Sequence, residues 1–239
     1  MSSLNCNQAI VPIVLIDKEG KPKELLGTGF FVNTNESLVL ITAKHVFEMK
    51  MLEKGDMYAF CMPPEDKINT GTNIFYITKY ESSDEYDIAY SKVGNIEKAI
   101  HLTLRKERIA RNENVVTHEY SNTFMETIGG KKRMTFSTSM YKGNIVRYYM
   151  SDYPEPVETP VFITSFPALQ GASGAPVIFD ESIEVVGMLS SSASKEPLLP
   201  AQTIRIEEEE EIKYYLPQGK AICSEAIIDY LESERIIVL

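Results

Sequence analysis

The chain has 239 residues, of which 44% are hydrophobic and 10% aromatic, and its formal net charge is −10. This composition is typical of a globular protein and excludes a disordered one, while the length is sufficient for one large core or two small ones. The acidic balance disfavours nucleic acid as a partner, because contacts to phosphates need clustered Lys and Arg.

The first apolar segment, residues 9–16, contains Pro12 and leads directly into the polar sequence Asp17-Lys18-Glu19-Gly20. This pattern is typical of a strand followed by a turn, and residues 1–6 lack the basic residues that begin a signal peptide. No segment approaches the roughly 18 consecutive apolar residues of a membrane span. The sequence therefore predicts a cytoplasmic protein with no membrane partner.

Short runs rich in Val, Ile, Tyr, Phe and Thr recur between turn signals, as is typical of β-strands. Their number and length indicate a sandwich or a barrel. The predicted strands are 9–16, 29–33, 38–42, 57–62, 74–80 and 88–93 in a first set, and 114–119, 133–140, 144–149, 161–165, 176–180, 184–190 and 213–216 in a second. The two sets fit two similar barrels in one domain of residues 1–239, over about 8–105 and about 112–218.

Two helices are predicted. The first is a short turn after His45 that runs through residues 48–52 and stops at Gly55. The second lies in the C-terminal segment of about 222–233 and starts at Ser224, which is a suitable N-cap. Four of its residues form one apolar stripe: Ala226, Ile227, Tyr230 and Leu231.

The three cysteines, Cys6, Cys61 and Cys223, are odd in number and widely spaced. A disulfide framework is disfavoured for that reason, and a zinc site is disfavoured because it usually needs closely spaced Cys or His pairs. We expect free, buried thiols in a reducing compartment. The sequence predicts no cofactor and no metal.

Three polar residues stand in separate motifs, each with its own local context. His45 ends the sequence Thr42-Ala43-Lys44-His45 after an apolar strand, and Asp87 directly precedes Ile88 and Ala89. Ser173 lies within Gly171-Ala172-Ser173-Gly174-Ala175-Pro176. These residues supply a base, an orienting carboxylate and a nucleophile in the chain order that chymotrypsin-like peptidases use, whereas subtilisins and α/β-hydrolases use other orders.

The chain resembles trypsin-like serine peptidases of the chymotrypsin fold from about Gly27 to about Leu231. It is most similar to the disulfide-free bacterial kind, of which the HtrA protease domain is an example. Besides the His, Asp and Ser motifs, the matching segments are residues 27–32 and residues 185–190. The resemblance implies an all-β fold of two antiparallel six-stranded barrels, with a short C-terminal helix. No PDZ-like extension follows, so the resemblance does not imply HtrA-type regulation or trimerisation.

The chemistry of these side chains gives each a role. Ser173 would be the nucleophile and His45 its general base, while Asp87 would fix the imidazole tautomer. Asp84 is the rival acid, although it lies in the polar run of residues 81–85. The N–H groups of Gly171 and Ser173 would form the oxyanion hole.

The resemblance also implies a substrate cleft. Ser190, Ser191 and Ser192 should pair with the substrate backbone, and Pro167 and Tyr215 should lie near the S1 pocket. Because the residue six before Ser173 is a proline rather than an acid, a preference for Arg or Lys is unsupported, and a small or apolar P1 residue is preferred. The acidic run of residues 207–211 is typical of a solvated loop, and its alternative is a docking patch or a specificity element.

Ala172 stands where secreted family members carry the Asp that pairs with a new amino terminus, so we expect no zymogen cleavage. Ala175 replaces a usual glycine, which would alter packing there slightly.

The function predicted is an intracellular endopeptidase that acts on a restricted protein or peptide substrate, with a selective pocket or an activating protein partner. The alternative is a catalytically silent peptidase-fold module that binds proteins.

Overall fold

The fold of the chain was obtained as a computed structural model. The structure describes residues 8–49, 51–62, 72–94, 96, 100–129, 131–151, 158–180, 182–193 and 218–239. The predicted strand at 213–216 and the acidic run at 207–211 lie outside these residues, as does Cys6. Neither helix in the described ranges is long and apolar enough to cross a membrane.

The first barrel is a half-barrel sheet of seven strands in the order β5-β4-β1-β2-β3-β7-β6, and no pairing joins its two end strands among the described residues. Six of them are principal strands, and β6 has two residues. Strands β1 and β3 are buried along their whole length, which explains why their sequences read as continuous apolar runs. The bounds are β1 (Ile10–Ile16), β2 (Pro22–Asn33), β3 (Leu38–Thr42), β4 (Met57–Met62), β5 (Asn73–Ile77), β6 (Glu81–Ser82) and β7 (Ala89–Val93).

The second barrel has the strand order β14-β9-β12-β13-β16-β15-β8, and a further pairing between β14 and β15 closes it. The two-residue strand β8 runs parallel to β15, while Leu102 beside it donates its N–H to the Phe31 carbonyl of β2. The bounds are β8 (Thr103–Leu104), β9 (Asn114–Glu119), β12 (Ser139–Ser151), β13 (Thr159–Thr164), β14 (Pro176–Phe179), β15 (Glu184–Ser192) and β16 (Gly219–Cys223). The hairpin of β10 (Phe124–Ile128) and β11 (Lys131–Thr135) forms a separate two-stranded sheet.

The largest core cluster is shared between the two barrels. It contains Phe30, Phe31 and Leu40 from the first barrel, together with Val161 and Met188 from the second. A second cluster fills the interior of the second barrel. The predicted all-β fold with a short C-terminal helix is confirmed, with one closed six-stranded barrel and one half-barrel sheet.

Both helices differ in detail from the prediction. Helix α1 covers His45–Glu48, so it begins at His45 and ends before most of the predicted turn. Helix α2 covers Ser224–Ser233, as predicted, but Cys223 is its N-cap. Ser224 does not cap the helix, because its hydroxyl donates to the carbonyl of Arg105 instead.

One predicted strand, residues 133–140, is also wrong. The segment contains the end of β11 and the start of β12, and residues 136–138 between them belong to neither strand. Strand β12 then continues for 13 residues through Gly143. A Cβ atom at Gly143 would lie 2.3 Å from Ser165 Oγ and 2.9 Å from Phe166 Cδ1, so close packing rather than a turn requires this glycine.

Candidate active site

A cleft of about 870 Å³ runs between the two barrels. One wall comes from β2, α1 and the loop before β7, and the other comes from the loop before β14 and the end of β15. His45, Asp87 and Ser173 all line it. The remaining lining residues are Glu24, Leu25, Leu26, Lys44, Val46, Glu48, Met49, Asp84, Tyr86, Ala168, Leu169, Gln170, Gly171, Ser190, Ser191 and Ser192.

Asp87 contacts His45 at both its ring and its main-chain N–H. The ring Nδ1 of His45 lies 2.7 Å from Asp87 Oδ2 and 3.0 Å from Oδ1. The main-chain N–H of His45 also donates to Asp87 Oδ1, at 2.9 Å. The carboxylate therefore fixes both the backbone and the ring, and its contact with Nδ1 favours the tautomer that leaves Nε2 as the proton acceptor.

Local packing holds α1 at the end of β3. Phe47 is buried and stacks on Tyr80 with ring centroids 4.3 Å apart. Tyr58 contacts the Phe47 ring edge to face, and its hydroxyl donates to the Phe47 carbonyl. Lys44 Nζ donates to the carbonyl of Ser83 at 2.7 Å and so ties α1 to the loop that carries Asp87.

Ser173 lies in a tight loop whose glycines are required by geometry. Gly171 and Gly174 have φ values of 94° and 86°, in the region that favours glycine. A Cβ atom at Gly174 would lie 2.1 Å from the carbonyl oxygen of Thr28, so no other residue fits there without movement of the backbone. Ser173 itself is half-buried, and its Oγ lies 3.5 Å from the Ser190 carbonyl.

Two backbone amides of this loop have no acceptor within the described part of the chain. The neighbouring amides are engaged, since Ala172 N–H donates to the Leu169 carbonyl and Gly174 N–H donates to the Leu189 carbonyl. The N–H groups of Gly171 and Ser173 make no such bond among the described residues. Both residues line the cleft, where these donors are available to a developing negative charge.

The other predicted site residues fall in three places. Ser190, Ser191 and Ser192 line the cleft at the end of β15. Pro167 is not among the described residues that line it, whereas its successors 168–170 are. Tyr215 lies outside the described residues. Asp84, the rival acid, is exposed at the cleft and forms no hydrogen bond with His45 among the described residues.

The cleft also contains residues that sequence reasoning missed. Leu25, Leu26 and Met49 add an apolar wall beside α1, and Leu25 packs against Gly171 so closely that a Cβ there would lie 2.8 Å from Leu25 Cδ2. The available signal was their position next to the matching segments at residues 27–32 and 42–46. Adjacency in sequence does not say which side of a strand faces a cleft.

Burial shifts the pKa of several titratable groups outside the cleft. Desolvation raises the pKa of both Cys61 and Cys223 to about 12, and both thiols are free and buried. Burial lowers the pKa of His118, whose Nε2 has no partner among the described residues. No group of three or more His, Cys, Asp or Glu side chains in the described ranges could hold a metal ion.

The chain matches a known protein family over most of its length. The family model described as a trypsin-like peptidase domain matches residues 27–188, which include His45, Asp87 and Ser173. No curated protein sequence matches the chain.

Solved structures of serine proteases share the fold. The Rv3671c protease of M. tuberculosis, in its active form, has a TM-score of 0.62 at 17% identity, over 96% of this chain and 82% of that one. The MamO protease domain of Magnetospirillum magneticum has a TM-score of 0.60 at 14% identity, over 95% and 97% of the two chains. Neuropsin, a serine protease of mouse brain, has a TM-score of 0.56 at 11% identity, over 95% and 94%.

Proposed function

Because this chain belongs to the trypsin-like peptidase family, we propose that it is a serine endopeptidase that works through Ser173, His45 and Asp87. Ser173 Oγ attacks the carbonyl carbon of the scissile peptide bond while His45 Nε2 takes the hydroxyl proton. Asp87 stabilises the imidazolium that forms. The N–H groups of Gly171 and Ser173 bind the oxyanion of the tetrahedral intermediate.

The intermediate collapses when His45 returns the proton to the amide nitrogen of the leaving group, which departs as an amine. An ester then joins the substrate acyl group to Ser173 Oγ. Water attacks this ester, His45 accepts a proton from the water, and a second tetrahedral intermediate uses the same two donors. Its collapse releases the carboxylic acid and restores the Ser173 hydroxyl.

The observation that carries the proposal is the joint geometry of the cleft. The bond of 2.7 Å between His45 Nδ1 and Asp87 Oδ2 provides an oriented base. Ser173 lines the same cleft, in a loop with two unpaired amides among the described residues. A protein that only binds ligands has no chemical need for these features together.

A fluorophosphonate probe tests the proposal, because it forms a stable bond only with an activated serine. We expect covalent labelling of the wild type and loss of labelling by at least about 10³-fold in Ser173→Ala, since the nucleophile is removed. Ser233→Ala is the matched control, because it removes an exposed serine hydroxyl of α2 that does not line the cleft, and it should keep its labelling. Equal labelling of Ser173→Ala and the wild type would refute the assignment.

One observation favours the alternative of a silent binding module. The Ser173 hydroxyl is within reach of the Ser190 carbonyl at 3.5 Å, and no hydrogen bond joins it to His45 among the described residues. Catalytic hydrogen bonds in unliganded enzymes are often long and tighten when substrate binds. Absence of labelling of the wild type, both alone and with candidate partner proteins, would support the module.

The setting of the enzyme also belongs to the proposal. We place it in the cytoplasm, where buried free thiols are typical, with a restricted set of protein or peptide substrates and an activating or regulatory protein partner. The uncharged segment 168–170 and the serines of β15 line the cleft, which supports a small or apolar P1 residue. Cleavage-site profiling with peptide libraries measures this preference directly.

A further inference from the structure

Thr28 is a fully buried residue at the point where β2 leaves β3, while it remains paired with Pro12 of β1. Strand β2 pairs with β3 from Phe30 to Asn33, so Thr28 lies beyond the paired segment. Its main-chain groups are consequently free to bond with something other than β3. The structure fills this position with the loop of the second barrel that carries Ser173.

Thr28 contacts that loop at three points. Its N–H donates to the carbonyl of Ser173 at 2.8 Å, and its hydroxyl donates to the carbonyl of Gly171 at 2.8 Å. Its own carbonyl oxygen lies against the α-carbon of Gly174, where a Cβ atom would be 2.1 Å away. One residue of the first barrel therefore fixes the backbone of the loop on both sides of the nucleophile.

The surroundings hold Thr28 itself in place. The hydroxyl of Thr42 donates to the Thr28 carbonyl at 2.8 Å. The Thr28 hydroxyl accepts the N–H of Tyr120 at 3.2 Å, so it uses both its donor and an acceptor position. A glycine precedes Thr28 where the loop comes close: a Cβ atom at Gly27 would lie 2.8 Å from the Ser173 carbonyl oxygen.

These bonds act on the amides that would form the oxyanion hole. They anchor the peptide groups that follow Gly171 and Ser173, whose carbonyls are both held by Thr28. The anchored peptides stand next to the two N–H groups that remain unpaired among the described residues. Movement of either anchored peptide would displace the adjoining peptide that carries a donor from the position of the oxyanion, and small displacements of this kind are costly in catalysis.

We propose that Thr28 is a positioning residue: across the barrel interface, its hydroxyl holds the loop so that the N–H groups of Gly171 and Ser173 point at the oxyanion. This proposal rests on the proposed function, since it assumes that Gly171 and Ser173 stabilise an oxyanion. It also assigns a task that Ala172 cannot perform, because an alanine has no side-chain group that could anchor the loop through an ion pair. The loop is instead held by neutral hydrogen bonds from another strand.

Thr28→Val tests the proposal, because valine keeps the shape of the side chain and removes its hydroxyl. The measurement is the concentration dependence of fluorophosphonate labelling, which separates the maximal rate of bond formation from the half-saturating probe concentration. We expect the maximal rate to fall about 10- to 100-fold while the half-saturating concentration changes less than about threefold, since the lost interaction matters in the transition state. Thr28→Ser, which restores a hydroxyl, should recover most of the rate.

Thr117→Val is the matched control for a merely structural effect. Thr117 is equally buried, and its hydroxyl also donates to a backbone carbonyl at 2.8 Å, that of Pro176. It should lower stability without a change in the maximal labelling rate. If Thr28→Val does not fold, Thr28→Ala provides the same comparison. Thr28→Ala also removes the hydroxyl, but it places no methyl group against the Gly171 carbonyl that is left without its donor.

A second readout does not depend on activity. Hydrogen exchange at the amides of Ala172 and Gly174, which are bonded within the loop, should be faster in Thr28→Val than in the wild type and unchanged in Thr117→Val. Wild-type labelling with an unchanged maximal rate in Thr28→Val would overturn the proposal, as would unchanged exchange. A wild type that fails to label refutes the proposed function instead, and the exchange comparison still decides whether Thr28 holds the loop.

Discussion

At the scale of single residues, the Asp87 carboxylate performs two tasks at once. Its Oδ1 accepts a hydrogen bond from the main-chain N–H of His45, and its Oδ2 accepts one from Nδ1 of the His45 ring. The first bond fixes where α1 begins and the second fixes how the ring is turned. A change at this position therefore affects the orientation of the base, because the Asp87 carboxylate contacts both the ring and the main chain of His45.

Asp87→Asn is expected to reduce fluorophosphonate labelling by about 10³- to 10⁴-fold, because the amide can hold the imidazole in the wrong tautomer. Circular dichroism should show an unchanged fold. Asp84→Asn is the control, since Asp84 is an exposed aspartate of the same cleft, and its labelling should change less than about threefold. A larger loss in Asp84→Asn than in Asp87→Asn would make the rival acid the orienting residue.

The residue scale also shows where sequence reasoning stops. The motif at residues 171–176 predicted the nucleophile loop only together with the His45 and Asp87 motifs in their chain order, because small residues are common in many tight turns. The role of Thr28 was not visible, since its partners at Gly171 and Tyr120 are far away in the chain. The same limit applies to Ser224, whose hydroxyl bonds to the distant Arg105 carbonyl rather than to its own helix.

At the scale of elements, β9 carries a buried histidine that the proposed mechanism does not use. His118 is 5% exposed, and desolvation lowers its pKa. The unfolded chain takes up a proton on this imidazole near pH 6.5, whereas the folded chain does so only at lower pH. Between these two values the unfolded state holds more protons, so the free energy of unfolding falls as the pH falls.

Replacement of His118 by Gln should remove this contribution. We expect the free energy of unfolding, measured by urea titration between pH 7.5 and pH 5, to decline less steeply in His118→Gln than in the wild type. The difference in slope cannot exceed about 1.4 kcal/mol per pH unit, the value for one proton. His101→Gln, at an exposed histidine, should leave the slope unchanged; equal slopes in the wild type and His118→Gln would contradict the prediction.

Strands with a continuous apolar run were the easiest elements to predict. Strands β1 and β3 are buried on both faces, so their sequences carry no polar interruption. The full length of β12 was not predicted, although the predicted strand at 144–149 lies within it. Strand β12 pairs with β9 in its first half and with β13 in its second, so its exposed face changes along the strand. The hairpin of β10 and β11 has little apolar pattern, because four of the five β10 side chains are exposed.

At the scale of the whole molecule, α2 joins the barrels through a common core. It packs against β13, β15 and β16 of the second barrel. Tyr230 of α2 also contacts Tyr90 of β7 in the first barrel, with ring centroids 5.8 Å apart. Since the largest core cluster contains residues of both barrels and of α2, neither barrel can lose its packing without exposing the other.

We therefore expect a single unfolding transition, detected at the same midpoint by far-UV circular dichroism and by the near-UV signal of the 13 tyrosines. Leu231→Ala removes a fully buried side chain from the shared cluster and should lower the free energy of unfolding by about 2–5 kcal/mol. Both probes should shift together. Leu52→Ala, at a side chain that is 45% exposed, should stay within about 0.5 kcal/mol; separate transitions in Leu231→Ala would indicate independent barrels.

The candidate site itself belongs to this scale. His45, Asp87 and Ser173 come from different elements and two barrels, and only their chain order and local motifs linked them in the sequence. The family resemblance supplied the expectation that they meet. It could not supply the apolar wall of Leu25, Leu26 and Met49, because wall residues depend on which face of β2 and α1 is turned to the cleft.

The last residues of the chain return to the first barrel. Leu239 donates its N–H to the Asn33 carbonyl, Ile237 accepts the N–H of Asn35, and Val238 forms a bridge with Thr34. The second barrel is thus attached to the first at both of its ends, by the segment around Leu102 and by this tail. Because the second barrel is attached to the first at two points, it has little freedom to move relative to the first barrel. The cleft walls therefore lose little further conformational entropy when a peptide binds, and little binding free energy is needed to bring them together.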